Sequence, residues 1–329
     1  MDVILGIDTS NYRTSLCLVD TEGKIVAEEK QLLSVEAGER GLQQSEALFQ
    51  HVKRLPTLAR KMAVEGQRLA AVAVSRSPRP VAGSYMPVFL AGEMAAEMLA
   101  HFTQIPLYYT SHQEGHIAAG ECTTDTPLVA DEFLAVHLSG GTSELLACKR
   151  TADGYEIECI GETNDLHAGQ LIDRVGVALG LPFPAGPYLE QLAAKTDEHP
   201  ETEAFSVPSS VSGYSFSFSG PEAALMRAVK QEVSPPLIAR AAEKCIAATL
   251  EKVLRRAAEN GFPRDMLIVG GVSANRYIKE RLVKRLVHPA VKARLYFADP
   301  AYAGDNAFGV ARIGLARWKR EKADRGFYL

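Results

Sequence analysis

The sequence predicts an α/β fold of two similar lobes with a cleft between them. A chain of 329 residues is long enough for two domains at about 150 residues each. A three-strand antiparallel meander is predicted over residues 3–31, and a second over residues 133–160. Alternating helices and strands follow each meander, so we expect a duplicated unit with one mixed sheet in each half.

The remaining elements follow from hydrophobic periodicity. In the first half we predict a helix over 45–64, kinked or split by Pro56, a strand over 69–75, a helix over 88–102 and a strand over 105–110. In the second half we predict helices over 169–179, 188–195, 222–231, 236–260, 274–285 and 303–322, strands over 266–269 and 294–298, and a serine-rich loop over 206–219. The predicted lobes are residues 1–125 and 126–329, the second with a helical insertion and a last helix that packs back toward the first.

Composition excludes several classes of protein. Apolar residues make up 47% and charged residues 23% of the chain, which is ordinary for a globular protein. The net charge of −4 gives no global attraction to RNA or anionic lipid, so any RNA contact must be local. No apolar run approaches the roughly 18 residues that cross a bilayer, and no membrane partner is expected. The five cysteines are scattered and odd in number, which favours reduced thiols and a cytoplasmic protein.

Three segments have the composition of a nucleotide site. The turn at 8–10 includes Ser10, and the turn at 139–141 is Ser139-Gly140-Gly141; both offer hydroxyls and backbone N–H groups that suit phosphate. Segment 270–275 places two glycines after a strand, where a flat ring can approach the backbone and Asn275 can hydrogen-bond it. Neither the Rossmann nor the P-loop fingerprint occurs. In this order, the three segments predict the actin/hexokinase-like fold, a duplicated ribonuclease H-like unit that binds an adenine nucleotide such as ATP or AMP.

His112 and His116 are spaced to meet one metal ion. On a helix, residues four apart share a face, so both imidazoles can reach the same divalent cation. The zinc-protease motif requires a glutamate directly after the first histidine, whereas Glu114 comes two residues later. Asp305 is the predicted third ligand; its alternative role is to cap the last helix.

These residues together resemble the family of tRNA N6-adenosine threonylcarbamoyltransferases, formerly called O-sialoglycoprotein endopeptidases. The resemblance covers nearly the whole chain, and its most specific segments are FSFSG at 216–220 and GGVSANR at 270–276. It implies an acyltransferase that moves threonylcarbamoyl from its acyl-adenylate to adenosine 37 of tRNA. It also implies iron or zinc, with magnesium as a further option, on His112, His116 and Asp305. The resemblance assigns adenine and ribose to Gly169, Asp173, Gly186 and Asn275, and the phosphate and acyl part to Ser139, Gly140 and Gly141.

The departures from the family lie near the acyl group. The family's first turn contains an Asp-Glu pair, which is replaced here by Tyr12 and Arg13. Arg13 adds a fixed positive charge that favours an anion but cannot accept a proton. The loop over 75–83 is also longer and more basic than the family's usual form. We therefore predict a diverged paralogue whose catalytic candidates are Ser10, Arg13 and Ser139.

Two alternatives to catalysis on tRNA stay open at this point. The chain could keep nucleotide and metal but act as a regulatory or assembly subunit, as a homodimer or with other proteins of a synthesis complex. A carbamoyltransferase or kinase acting on a small molecule follows from the fold alone. Such a kinase would ordinarily need a catalytic aspartate in the second lobe near the first turn, and Asp165 or Asp173 is easily misread as one.

Overall fold

The computed structural model describes residues 1–10, 12–35, 42–62, 65–198, 205–304 and 306–326. The first half forms a five-stranded mixed sheet in the order β3-β2-β1-β4-β5. Helices α1 and α2 cover one face of it. Its elements are β1 (Asp2–Asp8), β2 (Arg13–Asp20), β3 (Ile25–Leu32), α1 (Gln44–Lys61), β4 (Arg68–Ser77), α2 (Phe89–Thr103), β5 (Leu107–Ser111) and α3 (His112–Thr123).

The second half forms another five-stranded mixed sheet, in the order β12-β11-β6-β7-β8. Its larger apolar core lies under helices α4 to α8. The elements are β6 (Glu132–Leu138), β7 (Ser143–Thr151), β8 (Gly154–Glu162), α4 (Ala168–Ala178), α5 (Gly186–Ala194), a 3-10 turn (Lys195–Glu198), β9 (Ser210–Ser212), β10 (Ser215–Ser217), α6 (Ser219–Lys230), α7 (Pro235–Glu259), β11 (Asp265–Val269), a 3-10 turn (Gly271–Ala274), α8 (Arg276–Leu286), β12 (Arg294–Phe297), α9 (Pro300–Ala303) and α10 (Phe308–Gly326).

The two sheets have the same topology. In each, three antiparallel strands form a meander whose first strand, β1 or β6, pairs on its other side with a parallel strand, β4 or β11. A second parallel strand, β5 or β12, completes the sheet. The central strands are covered on both faces, which explains why β4 and β11 are continuous apolar runs without alternation. The predicted duplication of a mixed α/β unit is confirmed.

Helices α3 and α10 lie between the two sheets. Helix α3 contacts β4 and β5 of the first sheet and β6 and β11 of the second. Helix α10 packs on α3 and on the first sheet, where a side chain at Gly309 would collide with the carbonyl of Gly115 and one at Gly6 with that of Ala307. These glycines permit the close backbone approach that fixes α3 in the cleft. The lobe limits 1–125 and 126–329 stay predictions, although the sheets divide between Ser111 and Glu132.

Two details of the predicted helices are wrong. The predicted split at Pro56 is wrong: helix α1 continues through this residue, which is exposed to solvent, where a missing backbone hydrogen bond costs less than in the core. The predicted terminal helix over 303–322 is two helices, α9 and α10. The side chain of Asn306 accepts hydrogen bonds from the backbone N–H groups of Phe308 (3.1 Å) and Gly309 (3.4 Å), so this residue caps α10. Asp305 lies outside the described residues.

The serine-rich loop over 206–219 contains a two-stranded hairpin of β9 and β10 that the sequence did not predict. The other predicted elements are present, with ends that move by a few residues. Within the described ranges, no helix is both long and apolar enough to cross a lipid bilayer.

Candidate active site

The first turn of α3 is fixed by a reciprocal cap that orients its histidines. The hydroxyl of Ser111 accepts from the backbone N–H of Glu114 (3.2 Å), and the Glu114 carboxylate accepts from the Ser111 N–H (2.8 Å). His112 and His116 therefore lie on one face, with their Nε2 atoms 3.0 Å apart. Because the Glu114 carboxylate is committed to the cap, it does not act as a protease-type base.

A third histidine, His137, joins this pair from the second sheet. It lies on β6, and one ring nitrogen from each of His112, His116 and His137 lies within 4.8 Å of the others. Sequence reasoning missed His137, although a signal existed. Alternate residues of a strand point to the same side, so His137 shares its side with Ser139, the first residue of the predicted phosphate turn.

Asp8 supports the cluster from the first sheet. Its carboxylate is fully buried, and Oδ2 lies 3.4 Å from Nδ1 of His112. Ser10 donates its hydroxyl to Oδ2 (2.7 Å), and Ser75 donates to Oδ1. Burial alone would raise the pKa of Asp8, but the His112 imidazole and the two hydroxyls outweigh it and leave the pKa below its ordinary value. A carboxylate at Nδ1 leaves Nε2 of His112 to face the cluster.

Most of the residues predicted to bind the nucleotide line one cavity of about 350 Å³ between the lobes. We call it the nucleotide cavity after that prediction. The first lobe contributes Tyr12, Arg13 and Leu32 to its wall. The second lobe contributes the predicted residues Ser139, Gly140, Gly169, Asp173, Gly186 and Asn275. The structure thus brings together six predicted binding residues from four separated segments.

The turn at Ser139 packs tightly on the start of α4. The backbone N–H of Gly169 donates to the carbonyl of Ser139 (3.1 Å), and the N–H of Gly141 donates to the Ser139 hydroxyl (3.2 Å). A Cβ at Gly169 would lie 2.7 Å from the Gly140 nitrogen and the Ser139 carbonyl. Position 169 therefore requires glycine if the turn is to keep its place.

Two carboxylates line the nucleotide cavity. Asp173 accepts from the backbone N–H of Ala185 (2.8 Å), and burial raises the pKa of this carboxyl. Glu190, which the sequence reasoning missed, accepts from the backbone N–H of Arg276 (2.7 Å). The signal for Glu190 was its place one helical turn after Gly186.

Asn275 reaches the same cavity with its side chain held in place. Its Oδ1 accepts from the Ile278 N–H (3.0 Å) as the cap of α8, and its Nδ2 donates to Glu243 (2.7 Å). The amide is therefore rigidly oriented at the cavity wall, with one N–H left for another acceptor.

A second cavity, of about 520 Å³, lies on the other side of Ser139. Its wall includes Ser10, His112 and His137, together with Gly141 of the phosphate turn. The loop over 78–86 forms its outer rim. Ser139 lines both cavities, so the histidine cluster and the nucleotide cavity meet at this residue.

Comparison with known proteins decides the family. A family model described as tRNA N6-adenosine threonylcarbamoyltransferase matches residues 26–312. A protein of that name from Thermus thermophilus is 34% identical over 98% of this chain and 94% of its own length. This chain belongs to the tRNA N6-adenosine threonylcarbamoyltransferase family. Another relative with this name, from Bacillus subtilis, is 31% identical over 99% of this chain and 92% of its own length. The resemblance inferred from the motifs is confirmed.

Solved structures of more distant proteins confirm the fold class. The (R)-2-hydroxyglutaryl-CoA dehydratase component A of Acidaminococcus fermentans aligns with a TM-score of 0.57 over 98% of this chain and all of that one, at 14% identity. The activator of the 2-hydroxyisocaproyl-CoA dehydratase from Clostridium difficile, solved with bound ADPNP, gives 0.54 over 98% and 97% at 13% identity. At such identity the likeness concerns the fold alone, which is the predicted two-lobed actin/hexokinase-like fold.

Proposed function

We propose that this family member transfers a threonylcarbamoyl group from its adenylate to the N6 amine of adenosine 37 in tRNA. The single observation that carries the proposal is the meeting of the nucleotide cavity and the histidine cluster at Ser139. A bond forms between N6 and the carbamoyl carbon, the bond from that carbon to the phosphate oxygen breaks, and AMP leaves with the electron pair. The N6 proton is released to solvent.

The first cavity is the proposed site of the adenylate. The carboxylates of Asp173 and Glu190 are acceptors for the ribose hydroxyls, and Gly271 permits the adenine ring to approach the backbone near Asn275. Arg13 supplies the positive charge that the phosphate needs in a partly closed cleft. Gly186 lines the same wall without a side chain to occupy the space of the ligand.

The histidine cluster fits a transition metal. Three imidazoles are ligands that suit iron and zinc, whereas magnesium prefers oxygen ligands. We propose His112 and His116 as ligands, with His137 as a third and Asp305 as a fourth. The described segments on either side of position 305, α9 and α10, both pack against α3, which supports Asp305. A bound divalent cation would offset phosphate charge and polarise the carbamoyl carbonyl.

The three catalytic candidates have different proposed roles in the reaction. Arg13 stabilises the charge that develops on the leaving phosphate. Ser139 offers its hydroxyl and the adjoining backbone N–H groups to the acyl part at the boundary of the two cavities. Because the Ser10 hydroxyl is already donated to Asp8, Ser10 acts by positioning that carboxylate and, through it, His112.

The geometry argues against Asp165 as the catalytic base of a small-molecule kinase. The Asp165 carboxylate accepts from the hydroxyls of Ser217 and Ser219 and from the backbone N–H groups of Leu166 and Phe218. Burial works against these donors, but they lower the pKa of Asp165 far below its ordinary value. A carboxylate held in this way cannot accept a substrate proton at neutral pH.

We propose that the chain acts with a protein partner, either another protein of a synthesis complex or a second copy. Helix α2 exposes four large apolar side chains on successive turns of one face: Leu90, Met94, Met98 and Phe102. Contiguous exposed apolar surface of this kind is typical of an interaction site. Sedimentation of the chain alone, compared with a Met94→Glu and Met98→Glu double variant, separates self-association from a need for another protein.

The test of the proposed function is product formation. The purified chain, the threonylcarbamoyl adenylate, tRNA and the family's partner proteins are incubated, and the nucleosides are digested and analysed by mass spectrometry. We expect N6-threonylcarbamoyladenosine with the unaltered chain and a large loss with Arg13→Ala. Absence of product, with AMP binding and partner binding intact, would favour the regulatory or assembly alternative.

A further inference from the structure

The loop over 78–86, which we call the rim loop, presents apolar side chains to solvent at the mouth of the second cavity. Tyr85 is 62% exposed and Val81 is 56% exposed, and both line the cavity. Tyr85, the larger of the two, makes no side-chain hydrogen bond within the part of the chain that the structure describes. An exposed ring beside a functional cavity is a candidate contact for a ligand.

The rim loop is held in one conformation by its own hydrogen bonds. The backbone N–H of Arg79 donates to the Ser84 hydroxyl (3.0 Å), and the Ser77 hydroxyl donates to the carbonyl of Arg79 (3.0 Å). The N–H of Ser84 donates to the carbonyl of Val81 (3.2 Å). Gly83 has a φ of +78°, a conformation that other residues rarely adopt. The Tyr85 ring is therefore presented on a preformed surface.

The rim loop is also tied to both lobes. Arg79 forms an ion pair with buried Glu144 on β7 and another with Glu162 on β8 (3.1 Å). Gln113 of α3 donates to Glu144 through its side chain (2.5 Å) and to the carbonyl of Pro78 through its backbone (3.0 Å). These ion pairs neutralise the charge of Arg79. The rim loop therefore presents an aromatic ring to a ligand rather than a free positive charge.

We propose that Tyr85 is the platform on which the base of the acceptor nucleoside stacks. The inference rests on the proposed function, which puts the donor nucleotide in the first cavity and leaves the second for the acceptor. An unpaired base in an RNA loop is recognised by stacking on an aromatic side chain. A base on Tyr85 would point its N6 edge into the cavity that His112, His137 and Ser139 line. Stacking of this kind contributes roughly 5- to 150-fold in affinity per base.

Direct binding tests the platform. The affinity of the purified chain, with the family's partner proteins present, for an anticodon stem-loop RNA with adenosine at the acceptor position is measured by fluorescence anisotropy. We expect Tyr85→Ala to weaken binding about fivefold or more, and Tyr85→Phe, which keeps the ring, to stay within about twofold of the unaltered chain. Tyr188→Ala is the matched control, since Tyr188 is 44% exposed and lines neither cavity; we expect no change.

A second RNA identifies which base stacks. In a stem-loop with an abasic site at the acceptor position, the partner of the ring is gone, so Tyr85→Ala and the unaltered chain should bind equally. An equal loss on intact and abasic RNA, or no loss on intact RNA, would overturn the proposal. AMP affinity should be the same in Tyr85→Ala and in the unaltered chain. If the unaltered chain binds AMP and RNA, and Tyr85→Ala binds that RNA equally well, only the platform fails. If the unaltered chain binds no RNA, the platform and the proposed function both fail.

Discussion

The buried carboxylate of Asp8 lies 3.4 Å from Nδ1 of His112, whose Nε2 faces Nε2 of His116 at 3.0 Å. The first strand of the first sheet therefore orients the first histidine of α3. This arrangement has the form of a carboxylate–histidine pair behind the proposed metal ligand, in which the carboxylate fixes the ring and its tautomer.

Asp8→Asn tests this relationship. The amide keeps the size of the side chain but loses the negative charge behind His112, so we expect metal affinity to fall by about 10- to 100-fold. A competition titration with a chromogenic chelator measures it. Ser75→Ala is the control, since Ser75 donates to Asp8 without contacting His112 through any described hydrogen bond, and it should have a smaller effect. Unchanged affinity in Asp8→Asn would mean that the carboxylate does not support the metal.

Arg13→Gln tests the charge at the phosphate end of the nucleotide cavity. If the guanidinium contacts the phosphate, its loss removes a charge-assisted interaction of about 1.5–3 kcal/mol, which is roughly 10- to 150-fold in AMP affinity. Adenosine lacks the phosphate and should bind both proteins equally. Isothermal titration with the two ligands measures the difference. A similar loss for adenosine would place Arg13 away from the phosphate.

Gly169→Ala tests the contact between α4 and the Ser139 turn. The added Cβ would lie 2.7 Å from backbone atoms of residues 139 and 140, so we expect a loss of about 1–3 kcal/mol in the free energy of unfolding together with weaker AMP binding. Gly220→Ala is the matched control, because Gly220 lies in α6 and, among the described residues, no atom beyond its own helix turn and chain neighbours lies within 4 Å of the new Cβ; this variant should be neutral or slightly stabilising. Urea unfolding compares them, and equal stability of the two variants would contradict this account.

Asp165→Asn tests the hydrogen bonds between the Asp165 carboxylate and the FSFSG segment, which we call the Asp165 clamp. The readout is the pH dependence of the free energy of unfolding. The pKa of Asp165 is lowered in the folded chain, mainly by the hydroxyls of Ser217 and Ser219 acting against burial. Its contribution to stability is therefore present above the ordinary carboxyl pKa of about 4 and is lost as the pH falls through the lower folded value. Urea unfolding should give the largest difference between Asp165→Asn and the unaltered chain near neutral pH, and a shrinking one below about pH 4. If the difference in the free energy of unfolding between the two proteins does not depend on pH, the Asp165 clamp does not stabilise the fold through the charge of its carboxylate.

The sequence predicts the local part of this architecture well. Both meanders follow from short strand-forming runs separated by polar turns, which are local signals. The spacing of His112 and His116 likewise needs only one helix. The FSFSG and GGVSANR segments identified the family for the same reason, since each is a short continuous motif.

What the sequence did not predict depends on contacts between distant elements. His137 meets His112 and His116 only because α3 packs against both sheets, and Glu190 reaches the nucleotide cavity only through the packing of α5 beside Asn275. Pro56 is a local signal for a helix break, but helix α1 continues through it at a position that is exposed to solvent. The start of the last predicted helix was misplaced because the Asn306 side chain caps α10 at Phe308.

The central claim is that the histidine cluster holds a metal beside the nucleotide cavity, and metal analysis of the purified chain tests it most directly. Elemental analysis of the unaltered chain should find about one iron or zinc per chain. His112→Ala should lose most of it while retaining its fold by circular dichroism. His101→Ala, which changes an exposed histidine on α2, should keep it. Metal content that is the same in His112→Ala and in the unaltered chain would contradict the account.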